Sequence, residues 1–554
     1  MHASPRASPV RRIALAVATF VTAATIVALQ LASFKDHYDT HVEKHRILRS
    51  LQELPSLHLY LNIKRESMFV YGASQVDLFA NPVVTADGVS YNGVSTLVEN
   101  DSTIHKYLLV DGVVYHVAME SAQNGTANET ETVTCLPPSD LPPVHEVLGA
   151  INAATPVTGG VSTGSVSCPT GKLFQITFAG DDFLLCSSLT SGLSGFKIFG
   201  ADLDVEFTYA GAPATVTKPE LDVEAAASCA KVPSSTAVTS STLGLLRGAA
   251  KDFITTRSLK AETMQAAMAS STCGCKGKKR ACIFIPGLGL STETGLQDSS
   301  TYFGSIQKNA PCCSSVKFAI INTNDAGWTD VTFQQKICDY ALKVSNTSNA
   351  ATKTIEDTIV VAHSLGNLVL SGAIANGKCK LGASSTWVAV SAPMIGSMAS
   401  NYLQDACAGK INGLVDSAAQ LIGRCPANPA IQALAYQNDA YSSATLNIQY
   451  VAAQAVYKKS VSAALCSNGY NGLLSTAQIV FGLAGSVIPH KSSENDGIVE
   501  YQSCAKGLLT SQFGDSYTSQ YYVTKLNHED TTFRHGDALF NNAQKPVKWF
   551  ECLL

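Results

Sequence analysis

From residue 281 onward, short apolar runs alternate with longer amphipathic stretches. Runs at Ala281–Ile285, Val316–Asn322, Thr358–Ala362 and Thr386–Ser391 read as buried strands. Ser519–Leu526 alternates apolar and polar positions and reads as a strand at or near an edge. Between them, Asp330–Val344 repeats apolar residues at Phe333, Ile337, Ala341 and Val344, one stripe of a helix. Strands joined by crossover helices predict an α/β fold with a doubly wound, mainly parallel sheet. Its ligand site should lie beyond the carboxyl ends of the strands.

Residues 55–215 have a different rhythm. Alternating runs at Leu57–Ile63, Ser67–Tyr71, Lys106–Leu109, Val113–Met119, Leu173–Phe178, Phe183–Cys186 and Leu203–Tyr209 are separated by Gly, Asp, Asn and Pro. That pattern predicts an antiparallel β-rich domain. The proline-rich stretch 136–143 reads as an extended loop before a short helix near Val144–Ala153. No catalytic constellation stands out in this domain, and its aromatic residues read as core. Residues 216–275 are rich in Ala, Ser and Thr and read as a linker carrying a helix near Leu243–Ala269. The basic cluster Lys276–Arg280 reads as a solvated loop, or else as a proteolytic processing site.

Residues 399–490 interrupt the βα alternation. They are Ala-rich and helical in pattern, and 473–488 is almost wholly uncharged. Two readings stand: a lid or cap offering apolar surface to an acyl chain, or helices that simply pack on the sheet.

At the other end, residues 13–34 carry no charge and follow Arg11 and Arg12. A bilayer span takes about 20 apolar residues, so this segment predicts a transmembrane signal anchor, with a cleaved signal peptide as the alternative. Residues 1–12 are then a tail and 35–54 a charged stem. Lys35, Lys44, Arg46 and Arg49 on one side balance Arg6, Arg11 and Arg12 on the other, so flanking charge does not orient the segment. The cysteines do. There are sixteen, scattered, with no CxxC pair, which points to disulfides in an oxidising compartment. Glycosylation sequons at Asn100, Asn124, Asn128 and Asn346 agree. The expected location is lumenal or extracellular, membrane-anchored or secreted. A net charge of −4 with only 15% charged residues argues against a nucleic-acid partner.

Chemistry enters at residues 357–366, Asp-Thr-Ile-Val-Val-Ala-His-Ser-Leu-Gly. An apolar strand runs into Ser364, and Ala362 and Gly366 are small enough to let strand and following helix approach. A serine at such a turn is held out in strained geometry as a nucleophile. Earlier, Ile285-Pro286-Gly287-Leu288-Gly289 ends another strand. Backbone N–H groups of Leu288 and Leu365 are therefore candidates for an oxyanion hole. Downstream come Asp496, in Glu494-Asn495-Asp496-Gly497, and His528, in Asn527-His528-Glu529-Asp530. The order serine, acid, histidine suits an α/β-hydrolase. Glu494 and Glu500 flank Asp496 and are alternative acids.

These segments, with Val390–Ser397, resemble the α/β-hydrolase lipases and esterases over residues 281–554. The likeness is nearest to bacterial-type triacylglycerol lipases and the set that includes GPI inositol-deacylases. Two departures are visible: Ala362 replaces the usual first glycine, and Pro286 stands where many lipases carry histidine. The resemblance implies a Ser364–Asp496–His528 triad in a catalytic domain at 276–554, a carboxylic-ester hydrolase acting on a lipid or acyl ester, and no organic cofactor. It also implies that Asp530 is a candidate ligand of structural calcium. An acyltransferase with the same triad, or an extracellular binding protein with an inert hydrolase fold, are the alternatives.

Overall fold

The computed structural model describes residues 56–554, apart from 86–87, 100–102, 121–129, 139–145, 158–165, 167, 169–172, 188–194, 222–228, 234–271, 412–424 and 476. The expected signal anchor 13–34, its flanks and the helix near Leu243–Ala269 lie outside the described residues. Among the described residues no helix is long and apolar enough to cross a membrane. The fold class is corrected accordingly: the described structure is a large antiparallel sheet and a mixed sheet, without a transmembrane helix.

The first sheet has eleven strands, every neighbour antiparallel, in the order β6-β5-β4-β3-β2-β1-β11-β10-β9-β8-β7. In chain order these are β1 (Leu57–Ile63), β2 (Gln75–Thr85), β3 (Gly88–Val98), β4 (Ile104–Val110), β5 (Val113–Glu120), β6 (Thr130–Leu136), β7 (Thr155–Pro156), β8 (Leu173–Phe178), β9 (Asp181–Cys186), β10 (Gly195–Phe199) and β11 (Leu203–Tyr209). A short helix α1 (Val147–Asn152) precedes β7. Asp111 and Gly112 turn β4 into β5 with φ of 52° and 81°, the left-handed pair that matches strand twist. Inward positions of several strands meet in one core, with Leu61, Ile63, Phe174, Leu185, Phe196 and Phe207 all buried. The run Ser67–Tyr71 is not a strand. Glu66–Met68 forms a single 3-10 turn, and Met68 and Val70 are buried from it, which reproduces a period-two pattern without a ladder.

The second sheet has eight strands in the order β13-β14-β12-β16-β18-β19-β21-β20. They are β12 (Arg280–Ile285), β13 (Gly295–Gln297), β14 (Cys313–Ile320), β16 (Thr358–His363), β18 (Thr386–Val390), β19 (Val461–Ser467), β20 (Phe513–Gly514) and β21 (Tyr521–Thr524). β15 (Thr354–Ile355) and β17 (Lys380–Leu381) pair separately. Only the edge strand β13 runs antiparallel to its neighbour; all other pairs in the eight-stranded sheet are parallel. Alternate residues of β12 serve two cores. Ile283 and Ile285 pack with Trp328, Leu368, Val369, Tyr450 and Tyr457 beneath helices α2 (Val331–Lys343), α3 (Leu365–Ala375) and α6 (Ala444–Ser460). Cys282 and Phe284 pack on the other face with Phe303, Phe318, Trp549 and Phe550. Burial on both faces is why these strands read as continuous apolar runs.

The stretch 399–490 is not a helical insertion throughout. Helices α4 (Met398–Cys407), α5 (Pro429–Ala433), α6 and α7 (Ala477–Val487) fall in it. So does β19, an interior strand lying between β18 and β21. The basic cluster also finds partners. Arg280 opens β12 and bonds Ser384 O and Thr386 Oγ1, and Lys276 Nζ bonds Cys552 O.

All sixteen cysteines pair, and none is free. Eight disulfides fit an oxidising compartment. Cys466–Cys504 ties the end of β19 to α8 (Tyr501–Cys504), just past Asp496. Cys273–Cys552 ties the chain before β12 to the terminal helix α9 (Pro546–Leu553). The sheets are joined by buried ion pairs, Arg65 with Glu551 and Lys548 with Asp202 (2.7 Å), and by Phe178 edge-on to Phe540.

Candidate active site

Ser364 stands between β16 and α3 at φ 49°, ψ −126°, in the left-handed half of conformational space that costs a non-glycine residue strain. The surroundings fix it there. Ser364 N–H donates to Val390 O (2.9 Å). The buried Asn367 amide donates to Ala362 O, Ser364 O and Val390 O, and its own oxygen accepts from Trp387 Nε1. Gly366 is required by contact, since a Cβ there would lie 2.6 Å from Pro286 O.

Asp496 and His528 arrive on loops, the first between β19 and β20 and the second after β21, and are joined by backbone as well as side chain. His528 N–H donates to Asp496 O (2.8 Å). His528 Nδ1 and Asp496 Oδ2 are 2.7 Å apart, and His528 Nε2 and Ser364 Oγ are 2.9 Å apart. The other Asp496 oxygen accepts from Ile498 N–H (3.0 Å) and Val499 N–H (2.7 Å), which sets the carboxylate's orientation. With Nδ1–H donated to Asp496, Nε2 is left to accept the serine proton. Ser364 is only 5% exposed. Glu500 is engaged elsewhere, at 2.9 Å from His490 Nδ1, and Glu494 faces Asn468, so neither competes for His528.

The turn after β12 reaches the serine. A Cβ on Gly287 would lie 2.7 Å from Ser364 Cβ, so the backbone there is close against Ser364. Gly287 N–H donates to Tyr302 Oη (3.0 Å). For the Leu288 N–H no partner is found among the described residues. Leu365 opens α3, and the first N–H groups of a helix have no intrahelical partner. His363, beside Ser364 in the motif, is buried and lies 2.7 Å from Tyr302 Oη, 3.1 Å from Thr531 Oγ1 and 3.2 Å from His528 O. Burial first, then the neighbouring His528, hold it well below the usual imidazole value, so it stays neutral.

Asp530 does not fit a calcium ligand. Its carboxylate is buried and already accepts from Asn527 Nδ2 (2.6 Å), Leu473 N–H (2.7 Å), Ser475 Oγ (3.2 Å) and His535 Nδ1 (2.6 Å). Calcium takes six to eight oxygen ligands, whereas this carboxylate is surrounded by donors. Among the described residues no group of three or more His, Cys, Asp or Glu could hold a metal ion.

Sequence reasoning missed Tyr302, Asn367, Thr531 and Ser391, whose Oγ donates to Thr531 Oγ1 (3.0 Å). Tyr302 lies in a loop without a motif. Asn367 carried a usable signal, a polar residue at the start of an otherwise apolar helix.

No known protein family and no curated protein matches the sequence. Solved structures give distant likenesses. A metagenomic carboxyl esterase, MGS0156, is 11% identical at a TM-score of 0.29, over 50% of this chain and 75% of that one. A lipase-esterase related protein from Clostridium acetobutylicum is 10% identical at 0.25, over 48% and 93%. LprF from Mycobacterium bovis is 13% identical at 0.18, over 33% and 97%. Likenesses this slight bear on neither substrate nor mechanism.

Proposed function

We propose that the protein is a serine carboxylic-ester hydrolase of the lipase or esterase type, acting on a lipid or acyl ester. One observation carries this reading: the unbroken chain of contacts from Ser364 Oγ to His528 Nε2 (2.9 Å) and from His528 Nδ1 to Asp496 Oδ2 (2.7 Å). A serine hydroxyl is a weak nucleophile until a positioned base takes its proton. His528 takes that proton as Oγ attacks the ester carbonyl. Asp496 holds the imidazole in the required tautomer and stabilises its charged form. The Leu288 and Leu365 N–H groups receive the oxyanion. His528 then protonates the departing alcohol, and water repeats the sequence on the acyl-enzyme. Apolar surface for the acyl chain is available on α7, where Leu483 and Val487 are exposed and Phe481 O lies against Gly497, next to Asp496. In this reading α7 is the part of 399–490 that acts as a cap.

The test is labelling of the folded, disulfide-intact chain by a fluorophosphonate probe, with p-nitrophenyl esters of increasing chain length as substrates. Labelling and turnover should both vanish in Ser364→Ala. A wild-type chain that is folded yet neither labels nor turns over any ester would exclude the reading.

A further inference from the structure

The hydrogen-bond directions around His363 can be assigned one proton at a time. Gly287 N–H can only donate, so Tyr302 oxygen accepts it at 3.0 Å. Tyr302 has one proton of its own, and it points to His363 Nδ1 at 2.7 Å. His528 O can likewise only accept, so Nε2, 3.2 Å from it, is the protonated nitrogen and Nδ1 the acceptor. The single proton of a neutral imidazole must then sit on Nε2, which faces His528 O at 3.2 Å and Thr531 Oγ1 at 3.1 Å. Thr531 in turn donates to His528 O (2.8 Å) and accepts from Ser391 Oγ (3.0 Å). No two protons or lone pairs in the chain conflict, and His363, Ser391 and Thr531 are buried.

Its ends are informative. One end holds the peptide of Gly287, whose next N–H is that of Leu288, the candidate oxyanion donor. The other end holds the backbone of His528, the candidate base. Arg534, on the histidine loop, braces the middle: its guanidinium lies 5.3 Å from the Tyr302 ring centre, and its Nε donates to Tyr302 O at 3.2 Å. Neither Tyr302 nor His363 contacts Ser364 Oγ or the Asp496 carboxylate through any hydrogen bond among the described residues.

Building on the hydrolase reading, we propose that Tyr302 and His363 are positioning residues: a neutral two-residue tether that fixes the distance between the oxyanion turn and the histidine loop across the nucleophile. Acyl transfer needs the oxyanion donor and the base in place together. A donor misplaced by a fraction of an ångström loses most of its effect on the transition state and little of its effect on ester binding. The tether also ends the Gly287 N–H as a competitor for the oxyanion, leaving that role to Leu288.

The experiment compares the full-length wild type, Tyr302→Phe, His363→Asn and the double variant. The readouts are p-nitrophenyl butyrate turnover, inhibition by a trifluoromethyl ketone that forms an oxyanion adduct, and the pH profile of kcat/KM. Tyr302→Phe should lower kcat and weaken the ketone by the same factor, ~10- to 100-fold, with KM within twofold and the pH profile unmoved. His363→Asn keeps an acceptor for Tyr302 but cuts the histidine-loop end, and should lose activity similarly. The double variant should be no worse than the poorer single, because a tether is cut only once. A merely structural role would instead lower the melting temperature, with kcat of the folded fraction unchanged and effects that add. Folded Tyr302→Phe with kcat and ketone affinity within twofold of wild type would overturn the tether; if that variant does not fold, folded His363→Asn decides by the same criterion. A folded wild type inert to ester and ketone alike would overturn the hydrolase reading instead, and the tether with it.

Discussion

Ser364 shows how much of the site is set by small contacts. Its strained backbone is held by Asn367, whose three amide contacts lock the turn between β16 and α3. Asp496 shows the complementary economy: one oxygen anchors the carboxylate to its own loop, and the other meets His528. Asp496→Asn keeps size and loop contacts but can present an amide N–H to Nδ1. That favours the tautomer with its proton on Nε2, which cannot accept from serine. On the mechanism proposed above, turnover should then fall by about 10⁴ with little change in KM, the size of effect seen when a triad acid is so replaced. Stopped-time assays on p-nitrophenyl esters measure this. A loss under tenfold would assign the orienting role elsewhere.

Among the elements, β16, β18 and the serine turn were readable because burial on both faces makes an apolar run bounded by small residues. β19 was not. Val461-Ser-Ala-Ala-Leu-Cys-Ser467 is short and alanine-rich, and it directly follows the helix α6, so local pattern continues the helix. What makes it a strand is non-local: an open sheet position between β18 and β21, and the Cys466–Cys504 link. Cysteine pairing, like the Tyr302 tether, depends on which distant segments meet, which periodicity does not encode. The β-rich domain shows the same limit. β4 and β5 were readable as alternating runs, but their partnership was not, and it brings two histidines face to face. His105 Nδ1 lies 3.0 Å from His116 Nε2, and His105 Nε2 lies 3.1 Å from Glu99. Tyr71 stacks on His105, Tyr107 stacks on His116, and the two phenols are bonded at 2.7 Å. Burial first, then His105, lowers the His116 value to about 4. The sign follows. Between the unfolded value near 6.5 and about 4, the unfolded chain takes up a proton that folded His116 refuses, so stability is full above that window and declines as pH falls through it. The decline due to this group should be about 3 kcal/mol. Urea titrations between pH 7 and 4 on wild type and His116→Gln should show a gap that narrows by that amount toward pH 4. Parallel curves would mean that His116 titrates normally in the folded state.

At the scale of the whole molecule, the two sheets meet through charge as well as apolar contact. Arg65, just past β1, points to Glu551 and Asp537 of the α/β part, and Ser67 Oγ donates to Asp537 Oδ2 (2.7 Å). Lys545 and Lys548 reach back to Asp181 (2.7 Å) and Asp202 (2.7 Å). Side chains of Arg65, Asp537 and Glu551 are 7%, 0% and 6% exposed, so water does little for their charges. Removing one partner from such a buried set leaves the others uncompensated, which costs about 3–5 kcal/mol, far more than a surface pair. Arg65→Ala should therefore lower the free energy of unfolding by that amount, whereas Lys308→Ala, which breaks the exposed pair with Glu66 (2.6 Å), should change it by under ~1 kcal/mol. The junction also lies along the chain from the site: Asp537 follows His528 on the segment that carries Asp530 and Arg534. Loosening it should slow ester turnover at temperatures well below melting, because the histidine loop loses its outer anchor. If Arg65→Ala unfolds at the wild-type urea midpoint and turns over ester at the wild-type rate, the two sheets are independent bodies and the β-rich part has no share in holding the site.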